Sequence, residues 1–113
     1  MNYKDFNAFH AHLYYELDQI DVAQKLAKEV SDKFNVPVGR VWDKPVGPHP
    51  IGSCQISLDQ ENYPKVIDWL KENRGIVDVF IHAQTGDDYA DHTDHVAWLG
   101  KSYELNLDIF KKN

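Results

Sequence analysis

The stretch NAFHAHLYYEL, residues 7–17, alternates between apolar and polar side chains with a period of two. Successive side chains of a β-strand point to opposite faces of the sheet, so this period predicts a strand with Phe9, Ala11 and Leu13 on its apolar face. His10 and His12 then lie together on the other face. This stretch therefore predicts both a face that packs on the core and a pair of neighbouring imidazoles.

The remaining apolar patterns predict two helices and four further strands. Helical spacing of apolar residues covers two segments, from about residue 18 or 21 to 34 and from about 59 to 73. Strand-like patterns cover four others: 36–42, 53–58, 76–82 and, at the C-terminus, 103–109. The order strand, helix, strand, strand, helix, strand predicts an α+β ferredoxin-like sandwich, with both helices on one face of an antiparallel sheet and an extra C-terminal strand.

Length and composition indicate a single globular domain over residues 1–113. Apolar runs fall short of the roughly 20 residues that cross a bilayer, and the N-terminus lacks a signal-peptide pattern. The lone cysteine, Cys54, cannot form an internal disulfide, so we expect a cytoplasmic protein. A net charge of −6 argues against nucleic-acid or anionic-membrane partners and favours a small molecule or another protein chain.

One face of the predicted sheet is left without helices and needs a tail, a partner or a ligand as its cover. We expect this face to carry His10, His12, Tyr14, Gln55, Ser57, Phe80 and His82. Arg40 and Trp42 share one side of the second predicted strand, and we expect them on the same face. The opposite, apolar side of the strands is predicted to pack on the helices.

The ferredoxin-like order brings a third histidine to the first two. In this order the fourth strand lies antiparallel to the first, so His82 at its end lies near His10 at the start of the first strand. Imidazole is a common ligand of iron, zinc and copper. Two interpretations follow: a metal site formed by three histidines, or a solvated or dimer-forming face.

Two loops contain the remaining histidines of interest. His49 lies between two prolines in KPVGPHPIG (44–52), a stiff loop that either positions an acid or base or contains an incidental histidine. In TGDDYADHTDHVAWLG (85–100), Asp91, His92 and Asp94 precede an apolar stretch, with one helical turn predicted near residues 91–99. Either Asp91 caps that turn, or a carboxylate orients a histidine that reaches over the open face.

Three motifs together resemble the DOPA 4,5-dioxygenase family. They are FHAHLYY (9–15), DKPVGPHPIGSCQI (43–56) and TGDDYADHTDHVAWLG (85–100), in the same order as in the family, together with the strand end at His82. Ala83 departs from the pattern, because the family usually has proline after that histidine. The resemblance implies a ferredoxin-like, usually dimeric enzyme that cleaves a catechol ring with dioxygen and non-haem Fe(II).

The histidines of the three motifs and of the strand end match family positions, and we assign their roles from where each is expected to lie, on the shared sheet face or on a loop at its edge. His10, His12 and His82 are predicted to bind Fe(II), with Zn or another divalent metal as alternative occupants. His49 is predicted to be the base that deprotonates the catechol, and His92 the acid that assists ring opening. A rival site has two histidines and one carboxylate from Asp91 or Asp94.

The substrate is predicted to be a small aromatic catechol such as DOPA. Arg40 would hold a substrate carboxylate, and Trp42, Tyr14 and Phe80 would pack against the ring. The function predicted is therefore that of an extradiol ring-cleaving dioxygenase, expected as a homodimer. The alternative is a dimeric ferredoxin-like module that binds a metal or small ligand without catalysis.

Overall fold

The sheet is antiparallel throughout, and the strand with the histidine pair lies inside it. A computed structural model describes residues 1–110. The strands are β1 (Ala8–Tyr15), β2 (Gly52–Asp59), β3 (Asp78–Ala83) and β4 (Val96–Leu99), in the order β2-β1-β3-β4. The helices are α1 (Ile20–Phe34), α2 (Tyr63–Asn73) and the short α3 (Asp88–Asp91), with 3₁₀ turns at Tyr3–Asp5, Leu17–Gln19 and Leu107–Phe110.

Helices α1 and α2 pack on one face of this sheet, which confirms the ferredoxin-like sandwich. Each strand residue predicted to face the helices is buried: Phe9, Ala11, Leu13, Cys54, Ile56, Leu58, Val77, Val79 and Ile81. The helices contribute Leu26, Val30 and Leu70 to the same cluster. Burial of apolar area stabilises the fold by about 25 cal/mol per Å². Because a slip of one residue would move these apolar side chains to the other face, the alternation in the sequence sets the register of the strands.

The helix boundaries have local causes. Helix α1 ends where Asn35 adopts a left-handed conformation with φ of 52°, and its backbone N–H donates to the Ser31 carbonyl. Asparagine tolerates that conformation better than most residues. Pro64 is the second residue of α2, within the first turn, where its missing N–H costs no helical hydrogen bond.

The strand predicted at residues 36–42 is reduced to an extended segment beside β2. One isolated bridge joins Val38 to Ile56, and the N–H groups of Gly39 and Trp42 donate to carbonyls of β2 over 2.8 and 3.0 Å. Pro37 has no N–H group, so it cannot contribute a donor to a regular ladder. The segment lies where the ferredoxin-like order places a second strand, but the short strand predicted over residues 36–42 is present only as this single bridge.

The extra strand lies earlier in the chain than predicted. It is β4 (Val96–Leu99), which pairs with β3, whereas residues 103–109 run without strand pairing into the 3₁₀ turn Leu107–Phe110. The helical turn expected near residues 91–99 is α3, which begins at Asp88 and is capped by Asp87 rather than by Asp91. Both predictions thus had the right kind of element at the wrong residues.

The chain's own C-terminal segment and the proline-rich loop cover the second face of the sheet. Tyr14 and Phe80 on this face are completely buried. Tyr103 packs on Tyr14 with ring centroids 5.2 Å apart, and the N–H of Asn106 donates to the Pro48 carbonyl over 2.9 Å. The cover is therefore a tail, one of the three expected alternatives. Because this face is covered, it gives no reason to expect a homodimer. The homodimer stays a prediction from the resemblance.

Within residues 1–110, none of the helices has the length and apolar character needed to cross a bilayer.

Candidate metal centre

The register of β1 and β3 brings three histidines together. His10 and His82 are direct partners across the two strands, and His12 lies two residues further along β1 on the same face. Each of the three has a nitrogen that lies within 4.8 Å of a nitrogen of the other two. The Nε2 atoms of His12 and His82 are 3.0 Å apart. The convergence predicted from strand order is thus present in the fold.

Burial keeps these imidazoles neutral. His12 is 4% exposed and His82 is 1% exposed. Burial, the largest cause, holds the pKa of His12 well below 6.5, and repulsion from His49 and His82 lowers it further. Burial also lowers the pKa of His82 to about 3. A neutral imidazole has a free lone pair on one nitrogen, which is the form that binds metals.

The donor set fits a transition-metal ion. His82 donates from Nδ1 to the Ala83 carbonyl over 2.8 Å, so its lone pair is on Nε2, facing His12. This hydrogen bond to a backbone carbonyl is the kind that orients metal-binding histidines. Two nitrogens about 3 Å apart can share one metal ion when each metal–nitrogen bond is about 2 Å long. The replacement of the usual proline by Ala83 leaves this carbonyl in place.

The rival site with one carboxylate has no support in the part of the chain that the structure describes. Asp91 is 1% exposed, and its two oxygens accept hydrogen bonds from the N–H and hydroxyl of Thr85 at 2.8 and 2.7 Å. Asp94 is exposed. Over residues 1–110, the group of convergent ligand atoms consists of histidines alone. Asp91 instead anchors the turn that precedes His92.

His49 and His92 lie at the two ends of the His12–His82 pair, and the four rings form a row. The His49 ring lies 4.1 Å from that of His12, and the His92 ring lies 4.1 Å from that of His82. All five histidines line one cavity of about 310 Å³. The structure therefore brings together the five residues that the motifs and strand order singled out.

Each of the two outer histidines has a partner for its Nδ1 atom. The Tyr14 hydroxyl lies 2.7 Å from Nδ1 of His49, and Nδ1 of His92 lies 2.7 Å from the Asp88 carbonyl. The other ring nitrogen, Nε2, is then the one available for a ligand. Burial, together with repulsion from His92 and His10, lowers the pKa of His49 to about 4, so its ring is neutral at neutral pH.

Arg40 and Trp42 line a second cavity, of about 270 Å³, which adjoins the first and shares His12, His49 and Gln55 with it. The Arg40 guanidinium stacks over the Trp42 ring at 4.3 Å. Arg40 takes part in none of the ion pairs formed among residues 1–110. Its charge is therefore available to an anionic ligand, as the sequence suggested.

Tyr14 and Phe80 lie behind the histidines. Neither has exposed surface, and the Phe80 ring packs on Trp98 at 4.6 Å. In this conformation a ligand in either cavity meets the histidines in front of these two rings. Direct contact with a substrate, predicted for both, therefore lacks an accessible surface, and we propose a supporting role for them instead.

Three residues of the site were not assigned roles from the sequence. The Gln55 amide nitrogen lies 3.2 Å from Nε2 of His10, the Phe110 ring packs on His92 at 4.5 Å, and Tyr103 covers Tyr14. Gln55 was placed on the correct face by alternation. The apolar alternation over residues 103–109 is the only signal for Tyr103, and it predicts a strand there, whereas Phe110 lies outside that pattern.

The chain is similar to proteins of one family. A model of the Dopa 4,5-dioxygenase family matches residues 9–109. A DOPA 4,5-dioxygenase from Amanita muscaria is 40% identical over 72 residues, which cover 64% of this chain and 32% of that protein. An "uncharacterized 21.2 kDa protein" from Botryotinia fuckeliana is 29% identical, over 93% of this chain and 64% of its own length. This chain thus spans less than two thirds of both curated relatives.

A crystal structure from Nostoc punctiforme, described as "a putative dioxygenase", superposes with a TM-score of 0.89 and 36% sequence identity. That match covers 96% of this chain and 94% of the other. This superposition and the family match both extend over most of the chain. The chain belongs to the Dopa 4,5-dioxygenase family.

Proposed function

We propose that the protein is an extradiol dioxygenase that opens the ring of a catechol, such as DOPA, with dioxygen. The observation that carries this proposal is the cluster of His10, His12 and His82, with two further histidines at the rim of the same cavity. Membership in the family and the names of the relatives support an oxygenase. Dimerisation and the physiological substrate are parts of the proposal that follow from the resemblance.

His10, His12 and His82 would hold the metal, which we propose to be non-haem Fe(II). When bound, this metal would supply open positions where a catechol and dioxygen can react together. Neutral nitrogen ligands leave the charge of the metal uncompensated, which favours an anionic substrate. The buried floor of the cavity, formed by His12 and His82, also keeps bulk water from one side of that substrate.

His49 and His92 would move protons on either side of the three proposed ligands. Both line the histidine cavity, and each is oriented by a hydrogen bond at Nδ1. A catechol must lose protons before it binds as an anion, and ring opening returns protons to oxygen. One residue that accepts and one that donates would meet both needs.

Arg40 and Trp42 would bind the substituent of the ring. A substrate whose ring lies in the histidine cavity can extend past His12 and His49 into the adjoining cavity. There the guanidinium would bind a carboxylate, and the indole would contact apolar atoms. We therefore expect Arg40→Met to raise KM for DOPA about tenfold and to change KM for unsubstituted catechol less than twofold.

The test is turnover by protein loaded anaerobically with Fe(II) and mixed with oxygenated DOPA or simple catechols. We expect stoichiometric oxygen uptake and a yellow ring-opened product. His12→Ala should lose both metal and turnover, whereas His95→Ala should keep both, because His95 packs on Phe6 outside the cavity. Metal binding without product across a catechol panel would favour the non-catalytic binding module and contradict the proposal.

A further inference from the structure

The hydrogen bond at His49 places its proton on Nε2. The Tyr14 hydroxyl is buried, and among residues 1–110 its one hydrogen-bond partner is Nδ1 of His49, at 2.7 Å. If Nδ1 carried the proton, the buried hydroxyl hydrogen would have no acceptor, which costs about 1–3 kcal/mol. The hydroxyl therefore donates to Nδ1.

The hydrogen bond at His92 places its proton on the other nitrogen. Nδ1 of His92 lies 2.7 Å from the Asp88 carbonyl, which also accepts from the backbone N–H of His92 at 3.1 Å. A carbonyl oxygen can only accept, so Nδ1 is the protonated nitrogen. In the neutral form of this ring, the lone pair is therefore on Nε2. Contacts with the rings of His82 and Phe110 hold the imidazole in place from both sides.

From these opposite tautomers we infer that His92 is the proton acceptor of the site and that His49 is the donor. The inference rests on the proposed function and reverses the roles that the sequence suggested. One catechol O–H bond breaks, its proton forms a bond to Nε2 of His92, and the electron pair stays on the catechol oxygen. His49 presents its Nε2–H to an oxygen atom in the cavity. Tyr14 is a positioning residue, because it acts through His49.

Nitrogen NMR of the full chain tests the tautomers directly. Protein labelled with ¹⁵N-histidine is recorded without metal and with Zn(II), and His49→Gln and His92→Gln identify the two spin systems. We expect His49 protonated on Nε2 and His92 protonated on Nδ1. Tyr14→Phe should change the His49 pattern alone. Protonation of His49 on Nδ1, or of His92 on Nε2, would overturn the inference.

A chromogenic catechol tests the roles without turnover. The absorption of 4-nitrocatechol changes when it loses a proton, so anaerobic mixing with Zn(II)-loaded protein reports deprotonation in the site. We expect His92→Gln to slow this change at least tenfold, and to a greater degree than His49→Gln does. Zinc content near one per chain in both variants would show that the metal centre is intact.

The outcomes separate this inference from the proposed function. If His49→Gln slows deprotonation and His92→Gln does not, the roles are the reverse and the inference is wrong, while the catechol site stands. If wild-type protein binds neither Zn(II) nor nitrocatechol, the proposed function is wrong, and the catalytic roles fail with it. The tautomers measured by NMR are independent of that second outcome.

Discussion

At the scale of single residues, three buried histidines should make the metal-free protein sensitive to acid. His12, His49 and His82 have depressed pKa values in the folded state, about 4 for His49 and about 3 for His82, against 6.5 for an unperturbed histidine. Below pH 6.5 the unfolded chain binds more protons, so the free energy of unfolding falls as the pH falls toward 4. Each histidine contributes up to about 1.4 kcal/mol per pH unit.

Urea denaturation at pH 7.5, 6.5 and 5.5 measures this dependence. In this range carboxylates titrate little, so the slope reports mainly the histidines. His49→Gln should therefore reduce the slope. A free energy of unfolding that stays constant from pH 7.5 to 5.5 would contradict the expectation.

The sequence predicts which histidines form the candidate metal centre, but it does not predict the orientation of each imidazole ring. The alternation around His10 and His12 gives their common face, and the strand order brings in His82. The partners of the ring nitrogens are a tyrosine 35 positions away from His49 and a backbone carbonyl for His92. Neither contact follows from a periodic pattern in the sequence. The ring tautomers, from which we infer the direction of proton transfer, therefore depend on contacts that form only in the folded chain.

At the scale of elements, the pair of Asp91 and Thr85 should hold the turn that presents His92. Asp91→Asn would replace an acceptor with an amide that cannot accept both hydrogen bonds. We expect a loss of about 2 kcal/mol in the free energy of unfolding, measured by urea denaturation. Asp94→Asn, at an exposed site three residues away, is the matched control and should change it by less than about 0.5 kcal/mol. Equal effects would show that the carboxylate of Asp91 has no special role.

The end of α1 offers a second prediction at this scale. Asn35 has φ of 52°, a conformation that glycine adopts freely and that a Cβ-branched or alanine side chain opposes. Asn35→Ala should lower the midpoint of thermal unfolding, with a cost of about 1 kcal/mol, and Asn35→Gly should leave it unchanged or raise it. A larger loss with glycine than with alanine would show that the Asn35 side chain, rather than its backbone, terminates the helix.

The elements that were predicted correctly are long enough to show a strong period, whereas β4 and α3, which were misplaced, are four residues long each. Both long helices bury one side only, and β1, β2 and β3 direct every second residue into the core on the helix side, so a regular period marks each of these elements. β4 differs because Trp98 packs on Phe80 while Ala97 and Leu99 contact the core on the helix side. Residues 103–107 alternate between half-buried and exposed side chains, although their backbone pairs with no strand among the described residues, and a 3₁₀ turn follows at Leu107–Phe110.

At the scale of the whole molecule, the sheet is covered on both faces by different means. The helices supply one cover, and the loop at 43–51 and the C-terminal segment supply the other. Tyr103 connects the second cover to the sheet, since its ring packs on Tyr14 and its hydroxyl donates to Asp78 over 2.7 Å. The second cover therefore depends on few contacts, and one aromatic residue should matter to the stability of the entire domain.

Tyr103→Ala should remove this contact and expose Tyr14. We expect a loss of roughly 2–3 kcal/mol in the free energy of unfolding, together with a weaker near-ultraviolet circular dichroism signal from the aromatic cluster. Tyr103→Phe keeps the ring and loses only the hydrogen bond to Asp78, at a cost of about 1 kcal/mol. If both variants lose the same amount, the hydroxyl and not the ring anchors the segment.

Because the histidine pair lies on an inner strand, the proposed metal site depends on the correct pairing of β1 and β3. His10 and His12 meet His82 only when β1 and β3 pair in the native register, because a slip of one residue turns His82 to the helix face. A misaligned chain would therefore lack one of the three proposed ligands, even if it were compact. Metal uptake would then discriminate between correctly and incorrectly paired sheets, and the metal content of a fresh preparation would count its properly assembled molecules.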